Sequence, residues 1–249
     1  MNTLFLVGSG PGDPGLLTIK AYETIKFAQV ILFDNLVDER IIELAPDNCI
    51  KRFVGKIPYA KQVTQDEIHA LISFYCNRYR RVVRLKGGDP YMFGRGFEEW
   101  LYAKRRSIDV QYIPGISAMQ GAGLNSIPLT HRGVSNGVWA LTATKEDGAF
   151  ACDLSLAAQS TSTVVIYMGM QKLAQIARVY VMLGKADRPA AIVQQVSCKD
   201  QNQVLCCVAD LVMASENSGL SNPAIIIIGE VVDLQNTLRA ANETTRIVI

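Results

Sequence analysis

Hydrophobic and polar positions follow two periods along the first half of the chain. Short β-branched and aliphatic runs stand at Thr3–Val7, Val30–Phe33, Ile50–Phe53, Val82–Leu85 and Val110–Ile113. Between them lie helix-length amphipathic segments, among them Leu16–Phe27, Asp66–Asn77 and Gly96–Lys104. Strands alternating with helices in this way predict a parallel sheet with crossover helices. Ligands of such sheets sit beyond the carboxyl ends of the strands.

Beyond Pro114-Gly115 the pattern changes. Strand-like runs at Val138–Thr144, Val164–Met168, Ala190–Val193, Val204–Val208 and Ile225–Gly229 are separated by helical patterns at Lys172–Leu183 and Ala209–Asn217. Only a polar turn parts Ala190–Val193 from Val204–Val208, which favours an antiparallel hairpin. The expectation is two α/β domains, a parallel-sheet domain over residues 1–116 and a mixed α/β domain over 117–249.

Composition narrows the class. With 249 residues, 49% of them apolar and 19% charged, the chain has enough material for the cores of a globular enzyme. A formal net charge of +2 gives no global field for nucleic acid, so an anionic ligand has to be met by local Arg, Lys and His. The opening MNTLFLVGSG has no basic n-region, and its apolar run is too short for a signal peptide or membrane span, so the expected location is the cytoplasm. The six cysteines, Cys49, Cys76, Cys152, Cys198, Cys206 and Cys207, show neither CxxC nor metal-ligand spacing, so reduced thiols and no metal are expected.

The candidate chemistry lies in glycine-bearing loops. The first strand runs into GSGPGDPG, Gly8 to Gly15. A dinucleotide fingerprint would need glycine where Asp13 stands and a free amide where Pro11 has none. Asp13-Pro14 reads instead as an N-cap followed by proline at the first helical position, with a carboxylate where a phosphate would have to sit. A nicotinamide dehydrogenase is therefore set aside. RLKGGDPYMFGRG repeats the device: Val82–Leu85 runs into Gly87-Gly88, and Asp89-Pro90 can start a helix. A third loop, PGISA, follows Ile113 and offers Ser117 as a possible cap. These loops fall on one edge of one sheet and suggest a shared cleft for a ligand without phosphate. S-adenosylmethionine fits that description, because carbonyls and a carboxylate stabilise its sulfonium and apolar contacts hold its adenine.

The stretches VGSGPGDPGLLTIKA, FDNLV, VGK, RVVRLKGGDPYMFGRGFEE, PGISA, IPLTHRGVS, YMGM and NPAIIIIGEVV, in this order, resemble the uroporphyrinogen-III C-methyltransferases of the tetrapyrrole methylase superfamily over nearly the whole chain. The resemblance implies the tetrapyrrole methylase fold, two α/β domains with the cofactor cleft between them, and a homodimer. It implies S-adenosylmethionine as donor, S-adenosylhomocysteine as product, a small-molecule tetrapyrrole as substrate, and neither nucleic acid nor membrane as partner. The implied reaction methylates uroporphyrinogen III at carbons 2 and 7, through precorrin-1 to precorrin-2, toward sirohaem, cobalamin or haem d1.

Residue by residue, the resemblance assigns Pro11, Gly87, Gly88, Asp89, Met92, Ser117, Ala118 and Met168 to the cofactor, with Val196 and Ala224 near its adenine side. Asp34 of FDNLV and Lys56 of VGK match acid/base positions, and Glu98 could assist when the methylated ring loses its proton. Arg95 and Glu98 of GRGFE, Arg132 of THRG, and Lys61 match or neighbour substrate positions, where arginine suits a polycarboxylate. Plainer roles stand beside these: a turn cap for Asp34, a solvated loop charge for Lys56, a surface pair for Arg95 and Glu98, core packing for Met168, and a turn hydrogen bond for His131.

The chain also departs from the family pattern. In GKIPYAK, Ile57, Tyr59 and Lys61 replace the usual arginine, glycine and histidine, and Leu141-Thr142-Ala143-Thr144 replaces a strand ending Thr-Gly-His. Gln194-Gln195-Val196 stands where Glu-x-(Ala/Gly) is usual. Such changes leave room for a methylase of another tetrapyrrole, or for a protein that binds cofactor or tetrapyrrole without turnover.

Overall fold

Residues 2–55, 63–145, 148–150 and 153–234 are described by the computed structural model; Lys56, Ile57, Tyr59 and Lys61 lie outside them. The chain divides into two compact units, Met1–Ala118 and Met119–Ile249.

In the first unit, strands β1 (Thr3–Gly8), β2 (Val30–Phe33), β3 (Ile50–Phe53), β4 (Arg81–Lys86) and β5 (Asp109–Ile113) form a wholly parallel sheet in the order β3-β2-β4-β1-β5. Side chains alternate across a strand, so each strand serves two layers. Phe5 and Val7 face one layer, with Ile25 of α1 (Ile19–Lys26) and Ile41 of α2 (Glu39–Ile42). Leu4 and Leu6 face the other, with Ile68 and Ile72 of α3 (Gln65–Cys76) and Ala103 of α4 (Gly96–Lys104). Both faces of the inner strands are covered, which is why β1 and β2 read as nearly continuous apolar runs. Neighbours β1 and β4 send their crossovers in opposite directions, to β2 and β5, and so form the topological switch point.

Local chemistry sets the helix starts. Thr64 caps α3 in a reciprocal capping box with Glu67. Asp13 caps as expected, with Pro14 behind it, but the element it starts is a 3-10 turn, Pro14–Leu16. The helix expected at Leu16–Phe27 is correspondingly shorter: the Thr18 hydroxyl accepts from the Ala21 amide and starts α1 at Ile19.

In the second unit, β6 (Val138–Thr142), β7 (Thr163–Tyr167), β8 (Pro189–Gln194), β9 (Asn202–Cys207) and β10 (Ala224–Ile228) lie in the order β6-β7-β10-β8-β9. β6 and β7 are parallel, and the remaining pairings are antiparallel. β8 and β9 form the expected hairpin. The helices are α5 (Ala118–Gly121), which straddles the division, α6 (Leu154–Gln159), α7 (Leu173–Met182) and α8 (Leu211–Asn217). Ile166, Ile192 and Ile226 of the sheet pack with Ile176 and Tyr180 of α7 and Leu211 of α8. Among the described residues no helix is long and apolar enough to cross a membrane.

The tryptophans report the units separately, Trp100 in the first and Trp139 in the second. In a Trp139→Phe background, Leu6→Ala should lower the unfolding free energy read by Trp100 in urea by about 3 kcal/mol, since Leu6 is fully buried. Ile19→Ala, on the exposed side of α1, should change it by less than about 0.5 kcal/mol.

Candidate functional site

The carboxyl ends of the first unit's strands gather the loops that the sequence singled out. At the switch point, the amide of Ser9 donates to the Lys86 carbonyl at 2.8 Å. The amide of Gly10 donates to the Gly88 carbonyl at 3.2 Å, and the amide of Gly88 to the Gly10 carbonyl at 2.7 Å. The Gly15 amide is held by the Asp13 carboxylate at 2.8 Å. These loops use their amides on one another, whereas a phosphate loop presents them to a ligand.

Two glycines do different work here. A Cβ on Gly8 would fall 2.6 Å from both the Gly115 nitrogen and the Gly88 carbonyl oxygen, so three loop backbones meet where no side chain fits. Gly88 has φ +65°, a left-handed conformation, and an added Cβ would meet only Ser117 Cα, at 3.9 Å. Its outer face is open to a close approach.

Asp89 does not start a helix; α4 begins only at Gly96. The reason is where its carboxylate goes. Oδ1 accepts from the Tyr91 amide at 2.8 Å, while Oδ2 accepts from the Tyr112 hydroxyl at 2.6 Å and the Gly115 amide at 3.1 Å. Asp89 thus joins the loop after β4 to the loop after β5. Tyr112 stacks on Tyr91 with centroids 4.0 Å apart. Burial, then the bond to Asp89, holds the Tyr112 phenol well above its ordinary range. Met92 follows in the same turn, its amide donating to the Asp89 carbonyl at 3.1 Å. Pro11 and Ala118 are part-buried, and Ser117 is buried immediately before α5.

Asp34 lies just past the end of β2. Its Oδ1 accepts from the Leu36 amide at 3.2 Å, the turn cap foreseen as its plainer role, and its Oδ2 accepts from Arg84 Nη2 at 3.3 Å. Leu36 fills the space beside Gly87, where an added Cβ would strike the Leu36 side chain. The FDNLV loop therefore packs onto the GGD loop. Behind Asp34 sits a charged group that the sequence analysis passed over: Arg84 and Lys86 of β4, with Glu99 of α4, all buried. Glu99 Oε1 accepts from Arg84 Nε at 3.1 Å and Lys86 Nζ at 3.3 Å. Burial, then the neighbouring Arg84, holds Lys86 below the ordinary lysine range against the opposing pull of Glu99 and Asp34. The available signal was Arg84 and Lys86 placed after the apolar Val82-Val83 and on either side of Leu85 in RVVRLK.

Arg95 and Glu98 face each other on the surface. Arg95 Nε and Nη2 donate to the two Glu98 oxygens at 2.8 and 2.6 Å, with side chains 53% and 48% exposed. This is the surface pair named as their plainer role. The hydrogen bond from Arg95 is the main reason the Glu98 carboxyl lies below its ordinary range. The pairing therefore persists at neutral pH and is lost only as pH falls through that depressed value. Arg95 and nearby Phe93 both have positive φ, 58° and 55°, a conformation that non-glycine residues adopt at a cost.

The second unit collects its own set. Ala224 pairs with Gln194 and Ile225 with Tyr167, so Met168, Val196 and Ala224 share one edge of the sheet. Met168 is not simple core: it is 50% exposed with φ 53°, and its carbonyl accepts from Thr144 Oγ1 at 3.2 Å. Val196 is buried between Gln195 and Ser197, both with positive φ. Arg132 is exposed at the tip of a turn closed by reciprocal backbone bonds between His131 and Ser135. His131 takes part in that turn through its backbone. Lys56 and Lys61 lie outside the described residues.

A family model of tetrapyrrole (corrin/porphyrin) methylases matches residues 3–212. The S-adenosyl-L-methionine-dependent uroporphyrinogen III methyltransferase, chloroplastic, of Arabidopsis thaliana is 40% identical over 237 residues, covering 93% of this chain and 64% of that one. The siroheme synthase of Chromobacterium violaceum is 37% identical over 237 residues, covering 94% of this chain and 50% of that one. This chain thus spans half of the bacterial relative's length. Among solved structures, a uroporphyrin-III C-methyl transferase from Thermus thermophilus, complexed with S-adenyl homocysteine, superposes with a TM-score of 0.82 at 38% identity. That match covers 94% of this chain and 100% of the other.

The bridge from Tyr112 to Asp89 makes a direct prediction. Tyr112→Phe should lower the stability of the first unit by about 1.5–3 kcal/mol, the usual worth of a hydrogen bond to a charged group. Urea unfolding read through Trp100 measures it.

Proposed function

This chain belongs to the tetrapyrrole (corrin/porphyrin) methylase family, and we propose that it methylates uroporphyrinogen III at carbons 2 and 7, by way of precorrin-1, to give precorrin-2. The observation that carries the proposal is the edge of the first unit, where loop amides are engaged by protein carbonyls while Gly88 keeps an open face beside the Asp89 carboxylate. That edge suits a sulfonium compound without phosphate, and the residues present fit S-adenosylmethionine. Gly87, Gly88, Asp89, Met92, Pro11, Ser117 and Ala118 would hold it from the first unit. Met168, Val196 and Ala224, the further cofactor positions that the resemblance assigns, share one edge of the second unit's own sheet. Bound there, S-adenosylmethionine supplies an electrophilic methyl group.

The chain's own work is to position the substrate and to move a proton. A pyrrole carbon must approach the methyl in line, so holding the tetrapyrrole still is a large share of catalysis. Arg132 and Arg95 bind substrate carboxylates through their planar forks. Arg95 does so by exchanging Glu98 for a substrate carboxylate. Asp34 accepts the proton that the methylated ring gives up, its carboxylate oriented by the Leu36 amide and Arg84. Lys56 serves as its acid/base partner. The same proposal takes the protein to act as a homodimer in the cytoplasm, toward sirohaem, cobalamin or haem d1; the Arabidopsis relative is, by its name, chloroplastic.

Incubation with S-adenosylmethionine and uroporphyrinogen III, followed by mass spectrometry, should show two added methyl groups; product without added methyl would overturn the proposal. Gly88→Val fills the open face and forces a β-branched residue into positive φ, so it should abolish S-adenosylhomocysteine binding by calorimetry in a chain that still folds. Arg132→Ala should raise the KM for uroporphyrinogen III by roughly 10- to 100-fold, matching one lost charge-assisted contact. Its affinity for S-adenosylhomocysteine should stay within about twofold.

A further inference from the structure

Arg84 lies between β2 and α4 with its side chain 3% exposed, and each of its nitrogens has a defined partner. Nε donates to Glu99, Nη1 to the carbonyls of Leu32 at 3.3 Å and Leu85 at 2.9 Å, and Nη2 to Asp34. Leu32 stands two residues before Asp34 on the same strand end, so one guanidinium grips both the backbone leading to the FDNLV loop and the carboxylate that the loop carries. Glu99 is 0% exposed, and its Oε1 also takes Lys86 Nζ and, at 3.4 Å, Gln65 Nε2. Its Oε2 has no hydrogen-bond partner among the described residues. Stability does not require such an arrangement, because well-packed apolar side chains usually serve a core as well as buried ion pairs or better.

We propose that Glu99 is a positioning residue for methyl transfer: by fixing the plane of the Arg84 guanidinium and balancing the charge of Arg84 and Lys86, it holds the Asp34 carboxylate turned toward the substrate. The proposal rests on Asp34 acting as the proton acceptor. A guanidinium is rigid and planar, so anchoring it through Nε and Nη1 determines where Nη2 points. Without the Glu99 charge, Arg84 and Lys86 would face Asp34 as two cations opposed by a single anion, and the carboxylate would be drawn toward the sheet and away from the edge.

The test is a double-mutant cycle in the full chain with S-adenosylmethionine and uroporphyrinogen III, comparing Glu99→Gln, Asp34→Asn and the double variant. Glu99→Gln should lower kcat at least tenfold while the KM for uroporphyrinogen III and the affinity for S-adenosylhomocysteine stay within about twofold. In the Asp34→Asn background the same change should cost almost nothing more, because its target is gone. Losses that multiply, or a wild-type kcat in Glu99→Gln, overturn the positioning role while leaving Asp34 in place. If Asp34→Asn itself leaves kcat unchanged, the reading of Asp34 fails and this proposal with it. Should Glu99→Gln not fold, Arg84→Lys, which keeps the charge and loses the planar fork, enters the same cycle with the same expectations.

Discussion

Backbone can touch backbone only where no side chain intervenes, and the first unit is organised around one such place. Gly8 ends β1, Gly88 follows β4 and Gly115 follows β5, and a Cβ on Gly8 would overlap the backbone of both other loops. That contact allows the reciprocal bonds between Gly10 and Gly88 and brings the Gly115 amide to Asp89. The ligand preference follows: the amides of Ser9, Gly10 and Gly88 are spent on protein carbonyls and are not aimed at a phosphate, while the Asp89 carboxylate stands at the same edge. An electropositive group without phosphate is the natural guest. The parallel sheet makes this possible, since all its strands end on one edge.

Directly beneath that edge the unit buries charge. Removing one member of a buried ion pair typically costs about 3–5 kcal/mol, because its partner is left uncompensated. Arg84, Lys86, Glu99 and Asp34 pair two basic with two acidic side chains, so each has an opposite partner within reach. The alternation of β4 explains its location. Val83 and Leu85 face the layer of α1, while Val82, Arg84 and Lys86 face that of α3 and α4, where Glu99 projects from one helix and Gln65 from the other. Charge thus takes the place of apolar packing only in the last turn before the loops.

The central strands were legible because burial on both faces leaves an apolar signature that needs no knowledge of partners. Ile192 and Ile226 reveal a strand whatever lies beside them. Residues whose conformation depends on a distant group were not legible. Asp89-Pro90 has the form of a helix start, but Tyr112, 23 positions away, and Gly115 claim its carboxylate and hold the segment as a turn. Leu16–Phe27 looked like one helix because the pattern could not show that Thr18 would take the cap. The resemblance marked Asp34 but not Arg84 or Glu99, since their pairing exists only once β4 and α4 have packed. Met168 read as site or as core; its exposure, invisible in sequence, excludes simple core packing.

The two arginines assigned to the substrate stand in different energetic positions. Arg95 already holds a carboxylate in a bidentate grip, so engaging a substrate carboxylate exchanges one charge-assisted pair for another. Both sides of that exchange are exposed, where such pairs contribute only about 0–1 kcal/mol. Its net contribution to affinity is therefore small, but it demands a group that matches the fork, which is a contribution to selectivity. It also frees Glu98, a carboxylate whose low pKa comes chiefly from Arg95 and which regains basicity once Arg95 turns away. On the proposed reading, substrate binding at Arg95 would therefore also raise the basicity of Glu98. Arg132, exposed at its turn tip, has no such exchange to make, and on the proposed reading it would contribute attraction with less discrimination. Affinity for a polycarboxylate and recognition of its particular shape can in this way be divided between two residues of the same type.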